Sequence, residues 1–396
     1  MNHEPGLASL IDRMVSADRL EATTDGLAAA TAARVYVIVV PTLLTESKAP
    51  DLSMVQSALE TIAKGLDQGD LVLIESTLPP GTTQSMVRPL LARESTLELD
   101  DLRVAYCPER TSSGTALRDI RGQYPRIVGG VDQPSAEAAA RVYEALSSNS
   151  VTVVSNATTA EYVKLFEGIY RDVNIALANE FVRVVESTTV SVREAIEAAN
   201  ALPMCDIHDP GPGVGGHCIP VYPYFLEGTV EGDAPLTATA RAVNEAMPSY
   251  TVAWIDRILS SEGLPLRKST VAVMGLTYRA NIPETRWSPG IDIVVELERL
   301  GATTYGVDPL VDPTSVACPV EDLEYLREHG ADAVIVTSPH EVFQTLDWST
   351  LDPLVILDGR DALDLESDRH RVYTLGGSQS DIEPTGQSPS RPSGGK

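Results

Sequence analysis

The feature that most constrains this chain is a series of short apolar runs, each ending in turn residues, that alternate with stretches of helical composition. Residues 34–40 form one such run and residues 71–77 the next. Buried strands that alternate with helices predict parallel α/β sheets, because each crossover returns the chain to the same sheet edge. The further runs cover residues 104–107, 126–130, 151–154, 270–275, 303–308, 333–337 and 354–358.

Two groups of strands are separated by a proline-free helical stretch, residues 158–201, whose length is typical of a domain bridge or a dimer seam. The sequence therefore predicts an α/β fold with two Rossmann-like, doubly wound parallel sheets joined by a helical middle. The final Gly-, Ser- and Pro-rich stretch has almost nothing to bury and predicts disorder. The predicted limits are 1–155 for the first sheet domain, 156–264 for the helical middle, 265–376 for the second sheet domain and 377–396 for the tail.

Charge and the absence of an apolar span exclude several classes of function. Fifty-six acids oppose thirty bases, so the formal charge is −26. Such a surface repels nucleic acid and anionic membranes, and it suits a cytoplasm of high salt, so we hypothesise a salt-adapted source. No apolar run approaches the ~20 residues of a membrane span. The first residues are not those of a secretory signal, and we expect a cytoplasmic protein with reduced cysteines and no metal site.

The glycine-rich segment from Gly211 to Gly216 fits the pattern G-x-G-x-x-G, but its surroundings do not fit a dinucleotide fingerprint. That fingerprint needs a strand before it and a helix after it, and the prolines that follow this segment predict no helix. The adjoining Cys218 is a candidate nucleophile for an aldehyde carbon. A small buried cysteine that merely packs is an equally good interpretation of the residue alone.

The segment from Pro210 to Pro220 resembles the active-site loop of enzymes that oxidise UDP-N-acetylmannosamine, within the UDP-glucose/GDP-mannose dehydrogenase family. The resemblance extends from about residue 4 to residue 375. Its other matching segments are, in order, 39–42, 75–81, 106–110, 164–165, 171–180, 275–279 and 286–289.

This resemblance implies a two-step, NAD-dependent oxidation of a UDP-sugar C6 alcohol to a carboxylate, for polysaccharide or glycan synthesis, by a homodimer or larger homo-oligomer. By position in the family pattern, Cys218 would trap the aldehyde, Lys164 would stabilise an oxyanion, and Glu109 and Thr77 would orient water. The implied cofactor contacts are Thr42, Thr77 and Arg286. The implied substrate contacts are Arg110, Thr111, Lys164, Arg171, Gly215, Tyr278, Arg279 and Arg360.

The chain departs from the family pattern at its start. Its first residues match a point well inside the family's first domain, after the glycine-rich turn that holds the cofactor's pyrophosphate. The run at residues 34–40 is therefore expected to form an exposed edge strand, in a first domain that cannot bind NAD in the usual way.

Within the active-site pattern, Gly168 stands where an Asn is expected, Tyr222 where an Asp is expected, and Met204 where a cation is expected. The second sheet domain has Arg279 in place of a lysine. Two alternatives stay open. One is a catalytically impaired paralogue that binds a nucleotide sugar or an intact homologue. The other is a one-step dehydrogenase that needs no cysteine.

Overall fold

The computed structural model describes residues 4–186, 188–227, 234–352, 354–365 and 367–377, so all of the predicted disordered tail except Gly377 lies outside the described residues. Backbone contacts divide the chain into two compact units, which are described separately below. The first unit is Met1–Tyr170 with Val221–Pro235, and the second is Arg171–Pro220 with Leu236–Lys396. The domain limits given above stay predictions.

Each of the nine apolar runs named above overlaps a strand, and four further strands of the described chain, at residues 43–44, 50–51, 320–321 and 371–374, were not predicted. The strands are β1 Val35–Ile38, β2 Leu43–Leu44, β3 Pro50–Asp51, β4 Leu71–Ile74, β5 Arg103–Tyr106, β6 Arg126–Gly130, β7 Val151–Val153, β8 Thr270–Met274, β9 Thr303–Val307, β10 Val320–Glu321, β11 Ala333–Val336, β12 Val355–Asp358 and β13 Arg371–Thr374. The helices are α1 Leu7–Ser16, α2 Gly26–Ala32, α3 Ser53–Ala63, α4 Arg88–Glu94, α5 Ala116–Arg118, α6 Gln133–Leu146, α7 Ala157–Val185, α8 Val192–Asn200, α9 Tyr222–Glu227, α10 Pro235–Glu245, α11 Met247–Ser261, α12 Pro289–Arg299, α13 Leu323–His329 and α14 Glu341–Gln344.

The first unit is built on a five-stranded sheet of order β1-β4-β5-β6-β7. Every residue of β4 is buried, because α3 and α4 pack on one face of the sheet and α6 on the other. Among the described residues, β1 has a strand neighbour on one side only, which confirms the predicted edge. Its Val35 and Val37 are exposed, and an apolar groove of about 610 Å³ runs between β1, α2 and α3.

One junction of this sheet is not parallel, so the expectation of a wholly parallel first sheet is wrong there. β6 runs antiparallel to β5, with Ala105 opposite Gly130 and Tyr106 opposite Gly129. The connection 107–125 leaves the carboxyl end of β5 and enters β6 at the same end of the sheet, so the chain does not cross the face of the sheet. This long connection therefore stays at the carboxyl edge of β4 and β5.

The second unit contains a six-stranded sheet of order β10-β9-β8-β11-β12-β13, and all of its pairings are parallel. This is the 3-2-1-4-5-6 order of a dinucleotide-binding fold, and it confirms the second Rossmann-like sheet. Two apolar cores cover its faces, one including α11 and α12 and the other including α13 and α14.

Helix α9 corrects a second expectation. The prolines after the glycine-rich loop predict no helix there, yet α9 begins at Tyr222 with Pro223 in its first turn. Proline is compatible with the first turn because the N–H that it lacks has no partner within the helix there.

Candidate functional site

The first unit places Thr42, Thr77 and Glu109 just beyond the ends of β1, β4 and β5. These strands are parallel and in register, so their carboxyl ends share one sheet edge. The Ser76 hydroxyl donates to the Val40 carbonyl at 2.7 Å and ties the first two strand ends together. The predicted residues of this unit therefore lie along one edge.

Helix α7 brings Lys164 to Glu109, as the resemblance implies. The Lys164 ammonium donates to the Glu109 carbonyl and lies 3.5 Å from its carboxylate. The other carboxylate oxygen of Glu109 accepts the backbone N–H of Thr111. The lysine side chain is buried, and a buried ammonium needs such oxygen partners to offset the loss of water.

Glu161, one turn before Lys164, is a functional position that sequence reasoning missed. Its buried carboxylate accepts the N–H groups of Gly81 at 2.5 Å and Thr83 at 2.8 Å, and the Thr83 hydroxyl at 2.6 Å. Burial raises the pKa of Glu161, although these hydrogen bonds oppose the rise. Glu161 thus fixes the turn after Thr77 against the helix that carries Lys164. Its only sequence signal is an acid at helical spacing from the lysine.

Arg110 contacts three residues of its own unit. Its guanidinium lies 2.6 Å from the Glu167 carboxylate, donates to the Pro125 carbonyl at 2.8 Å, and lies over the Tyr124 ring. Its predicted contact with substrate, like that of Thr111, stays a prediction.

In the second unit, asparagines of α7 anchor the segment that leads to Cys218. Asn179 accepts the N–H of Gly211 at 2.9 Å, and Asn174 accepts that of His208 at 2.9 Å. Asn179 is itself oriented by Asn244, which donates to Asp172. The asparagines of the matching segment at residues 171–180 therefore have a structural role: they bind the backbone at His208 and at Gly211, on the way to Cys218.

Packing leaves little room for side chains at the glycines of this loop. A Cβ on Gly211 would lie 2.1 Å from the Arg360 guanidinium, and one on Gly215 would lie 2.7 Å from the Tyr278 Cβ. Gly213 also has a φ of 145°, a conformation that side chains disfavour. Residues 205–217 form neither strand nor helix, so the predicted exclusion of a dinucleotide fingerprint there is confirmed.

Cys218 is partly exposed, whereas Cys107 and Cys318 are buried. Burial raises the pKa of the Cys107 thiol, which makes it a poor nucleophile. A hydrogen bond with Cys218 raises the pKa of the neighbouring His217, and burial opposes this rise. A thiol beside an imidazole is the arrangement that activates cysteine nucleophiles.

Two arginines flank the start of the loop. Arg360 donates to the Gly213 carbonyl at 3.1 Å, and Arg193 donates to the Pro210 carbonyl at 3.0 Å. Burial first, and the nearby charge of Arg193 second, lower the pKa of Arg360 to about 10. Asp361 lies 3.7 Å from Arg193, and two further carboxylates act on both arginines, so their charge is partly offset. Guanidinium groups in such a desolvated place can bind an anionic ligand. Arg193 was missed in the sequence because nothing near it in the chain marks it.

The remaining predicted residues of this unit differ in their surroundings. Arg286 accepts the Gly216 N–H through its carbonyl at 2.9 Å, and its guanidinium pairs with Glu284 at 2.7 Å. Arg171 and Arg279 are exposed, and Met204, which replaces an expected cation, is 92% exposed. The structure thus gathers Gly215, Cys218, Tyr278, Arg286 and Arg360 around one loop.

The described residues of the first unit fit NAD in part. Thr42 and Thr77 stand at neighbouring strand ends, where a cofactor binds in such sheets. Within that described part, no glycine-rich turn joins a sheet strand directly to a helix, which is the element that would hold a pyrophosphate.

Three family models match the chain in order, and together they cover most of it. They describe the NAD-binding domain (residues 2–147), the central domain (158–246) and the UDP-binding domain (272–365) of the UDP-glucose/GDP-mannose dehydrogenase family. The chain belongs to this family of NAD-dependent UDP-sugar dehydrogenases, as the sequence analysis indicated.

Several similar proteins are named for N-acetylated sugar nucleotides. UDP-N-acetyl-D-mannosamine dehydrogenase of Pyrococcus horikoshii is 36% identical over 364 residues, covering 91% of this chain and 85% of that protein. NDP-N-acetyl-D-galactosaminuronic acid dehydrogenase of Ralstonia nicotianae is 38% identical over 370 residues, covering 90% and 84%. The solved structure of the Pyrococcus horikoshii UDP-D-ManNAc dehydrogenase superposes with a TM-score of 0.87 at 34% identity, covering 94% and 88%. Among the described residues, no helix is long and apolar enough to cross a bilayer.

Proposed function

We propose that this protein oxidises the C6 alcohol of UDP-N-acetyl-D-mannosamine, or of a closely related UDP-amino sugar, to a carboxylate for glycan synthesis. The observation that carries the proposal is the anchored loop ending at Cys218, with His217 beside the thiol and asparagines of α7 fixing the approach. The similarity to relatives named for N-acetylated sugar nucleotides supports this substrate class.

In this proposal, NAD⁺ supplies the hydride acceptor for both oxidations. The first oxidation leaves an aldehyde at C6, and Cys218 attacks it as a thiolate. The new S–C bond displaces the carbonyl π electrons onto oxygen. His217 accepts the thiol proton as the sulfur becomes nucleophilic. After the second oxidation the carbon is a thioester, which water hydrolyses to release the carboxylate and the free thiol.

The first unit supplies the electrostatic groups. Lys164 stabilises the oxyanion, because a cation in a water-poor site interacts strongly with developing negative charge. Glu109, whose carboxylate is 3.5 Å from that ammonium, orients the hydrolytic water together with Thr77. Glu161 holds the turn after Thr77 in place.

In the second unit, Arg360 and Arg193 bind the diphosphate of the sugar nucleotide, aided by Tyr278 and Arg279. Arg286 contacts the cofactor, and Arg110, Thr111, Arg171 and Gly215 complete the substrate contacts. We expect the protein to act as a homodimer or larger homo-oligomer.

The test is NADH formation with UDP-N-acetylmannosamine, UDP-N-acetylgalactosamine and UDP-glucose as competing substrates, with the product identified by mass spectrometry. The proposal predicts two NADH per uronate and the highest kcat/KM for an N-acetylated sugar. Cys218→Ala should form no uronate, with Cys205→Ala as the matched control. Uronate formation by Cys218→Ala would contradict the proposed mechanism, and a lack of turnover with all three sugars would contradict the proposed function.

A further inference from the structure

The ring of Tyr222 covers the backbone of Gly168. Gly168 lies one turn after Lys164 on α7, and Tyr222 is the first residue of α9. A Cβ on Gly168 would lie 2.1 Å from Cδ2 and 2.7 Å from Cε2 of Tyr222. Real Cβ atoms essentially never come so close to another atom, and these ring atoms are not the far end of a flexible chain that could move aside. The aromatic ring at 222 therefore requires glycine at 168.

The same ring faces the Lys164 ammonium. The Lys164 Nζ lies 5.8 Å from the centroid of Tyr222, within the ~6 Å range of cation–π attraction. The ammonium's contacts with Glu109 are the carbonyl and the carboxylate. Tyr222 and Lys164 are both buried, so little water competes for the cation.

We propose that Tyr222 is a positioning residue for Lys164: its ring fixes the ammonium in the place where the reaction needs it. This inference rests on the proposed function, in which Lys164 stabilises the oxyanion. The residues at 168 and 222 are then one coupled exchange, a glycine and a ring in place of the Asn and Asp of the family pattern. The coupling accounts for two departures that look, in the sequence, like independent losses.

A tyrosine that only fills the core is the competing explanation. It predicts that replacing the ring lowers stability but leaves the turnover of the folded enzyme unchanged. A positioning role predicts that kcat falls when the ring is removed, as in Tyr222→Leu, and is kept when only the hydroxyl is removed, as in Tyr222→Phe.

The kinetic test compares Tyr222→Leu with Tyr222→Phe at a temperature where both are folded. Loss of a desolvated cation–π contact should lower kcat by about 2- to 30-fold in Tyr222→Leu, with a similar fall in kcat/KM. Tyr222→Phe should keep the wild-type kcat. Tyr224→Leu is the matched control, because Tyr224 lies on the same helix and its hydroxyl accepts from Lys48. Wild-type kcat in Tyr222→Leu, or an equal loss in Tyr224→Leu, would overturn the proposal.

The coupled exchange has its own test in thermal stability. Gly168→Asn should lower Tm sharply in the wild-type background, because its Cβ meets the ring. In the Tyr222→Asp background the same change should lower Tm much less. Equal losses in both backgrounds would overturn the coupling.

A third measurement does not depend on turnover, so it separates failure of this proposal from failure of the proposed function. Reductive methylation of Lys164, followed by peptide mass spectrometry, reports how firmly the ammonium is held, with the exposed Lys268 as internal reference. Methylation should be faster in Tyr222→Leu and unchanged in Tyr222→Phe. An unchanged rate in Tyr222→Leu overturns the positioning role even in an active enzyme. The expected difference supports it even where no sugar nucleotide is oxidised.

Discussion

Asn179 accepts the backbone N–H of Gly211 at 2.9 Å, and both residues are buried. Through this bond α7 holds the beginning of the loop that ends at Cys218. Without the side-chain oxygen, a buried N–H would lose its partner, which costs about 1–3 kcal/mol.

Asn179→Leu is accordingly expected to lower the free energy of unfolding by about that amount and to reduce kcat more than it changes KM. Urea unfolding and NADH formation check the two effects. Asn149→Ala is the control, since Asn149 donates to Gly122 in the first unit. Full activity in Asn179→Leu would show that the loop keeps its geometry without this anchor.

The pairing of His217 with Cys218 predicts a pH-dependent reactivity. The hydrogen bond to Cys218 raises the pKa of His217, so the imidazole keeps its proton to a higher pH than a free histidine. That positive charge favours the thiolate in return. His217→Gln should therefore slow alkylation of Cys218 by iodoacetamide near neutral pH, and the difference should shrink above about pH 8.5, where thiols ionise unaided. Peptide mapping distinguishes Cys218 from Cys205, and equal rates at pH 7 would refute the pairing.

Asp308, directly after β9, predicts a free energy of unfolding that falls at low pH. It accepts N–H groups of Leu276 at 2.7 Å, Thr277 at 3.0 Å and Leu310 at 2.8 Å, and it bonds His340 Nε2 at 2.9 Å. Burial raises the pKa of Asp308, but His340 and the amides outweigh burial and lower it below its usual value.

A lowered carboxyl pKa stabilises the fold above the unfolded pKa of about 4, and this contribution is lost as pH falls through the folded pKa. Asp308→Asn should thus be less stable than wild type by about 1–3 kcal/mol at pH 7, with a smaller gap near pH 3. Urea unfolding at both pH values measures this. Asp352→Asn is the control, because Asp352 is 84% exposed and its pair with Arg369 is long at 3.7 Å. A gap that does not vary with pH would show that the charge of Asp308 is irrelevant.

Much of this fold could be predicted because its signal is local. The central strands β8, β11 and β12 of the second sheet are largely contiguous apolar runs, and the alternation with helices dictates parallel pairing. The outer strands β10 and β13 carry no such run, so the sequence did not predict them. The direction of β6 could not be predicted, since an apolar run does not show whether its strand pairs parallel or antiparallel with its neighbour. Helix α9 is not predictable from its proline alone, because proline breaks a helix in its interior but is compatible with the first turn, where Pro223 lies.

The candidate site divides in the same way. Resemblance identified Lys164 and Glu109, and the structure brings them together. Glu161 and Asn179 act through contacts with residues far along the chain, so their roles could not be assigned from the sequence around them. Gly168 and Tyr222 were each visible as departures, but their mutual contact exists only in three dimensions.

The exposed face of α7 predicts the oligomeric state. Phe166, Leu177 and Val184 lie on one face of this helix and are 57%, 43% and 66% exposed. An apolar stripe at helical spacing is typical of a helix–helix seam. Leu177→Glu should convert a dimer to monomers in sedimentation experiments. Leu146→Glu is the matched control, because Leu146 is 64% exposed but lies on α6. A dimer that survives Leu177→Glu would place the interface elsewhere.

The net charge of −26 predicts how stability responds to salt. Repulsion among so many carboxylates destabilises the compact state, and added salt shortens the screening length from ~10 Å at 0.1 M to ~3 Å at 1 M. The Tm should therefore rise continuously as KCl is raised from dilute buffer into the molar range. The rise should be smaller in a variant whose exposed acids Glu98, Glu137 and Glu144 are replaced by glutamine, since it has less repulsion to screen. A Tm that is highest in dilute buffer would mean that the acidic surface is no adaptation to salt.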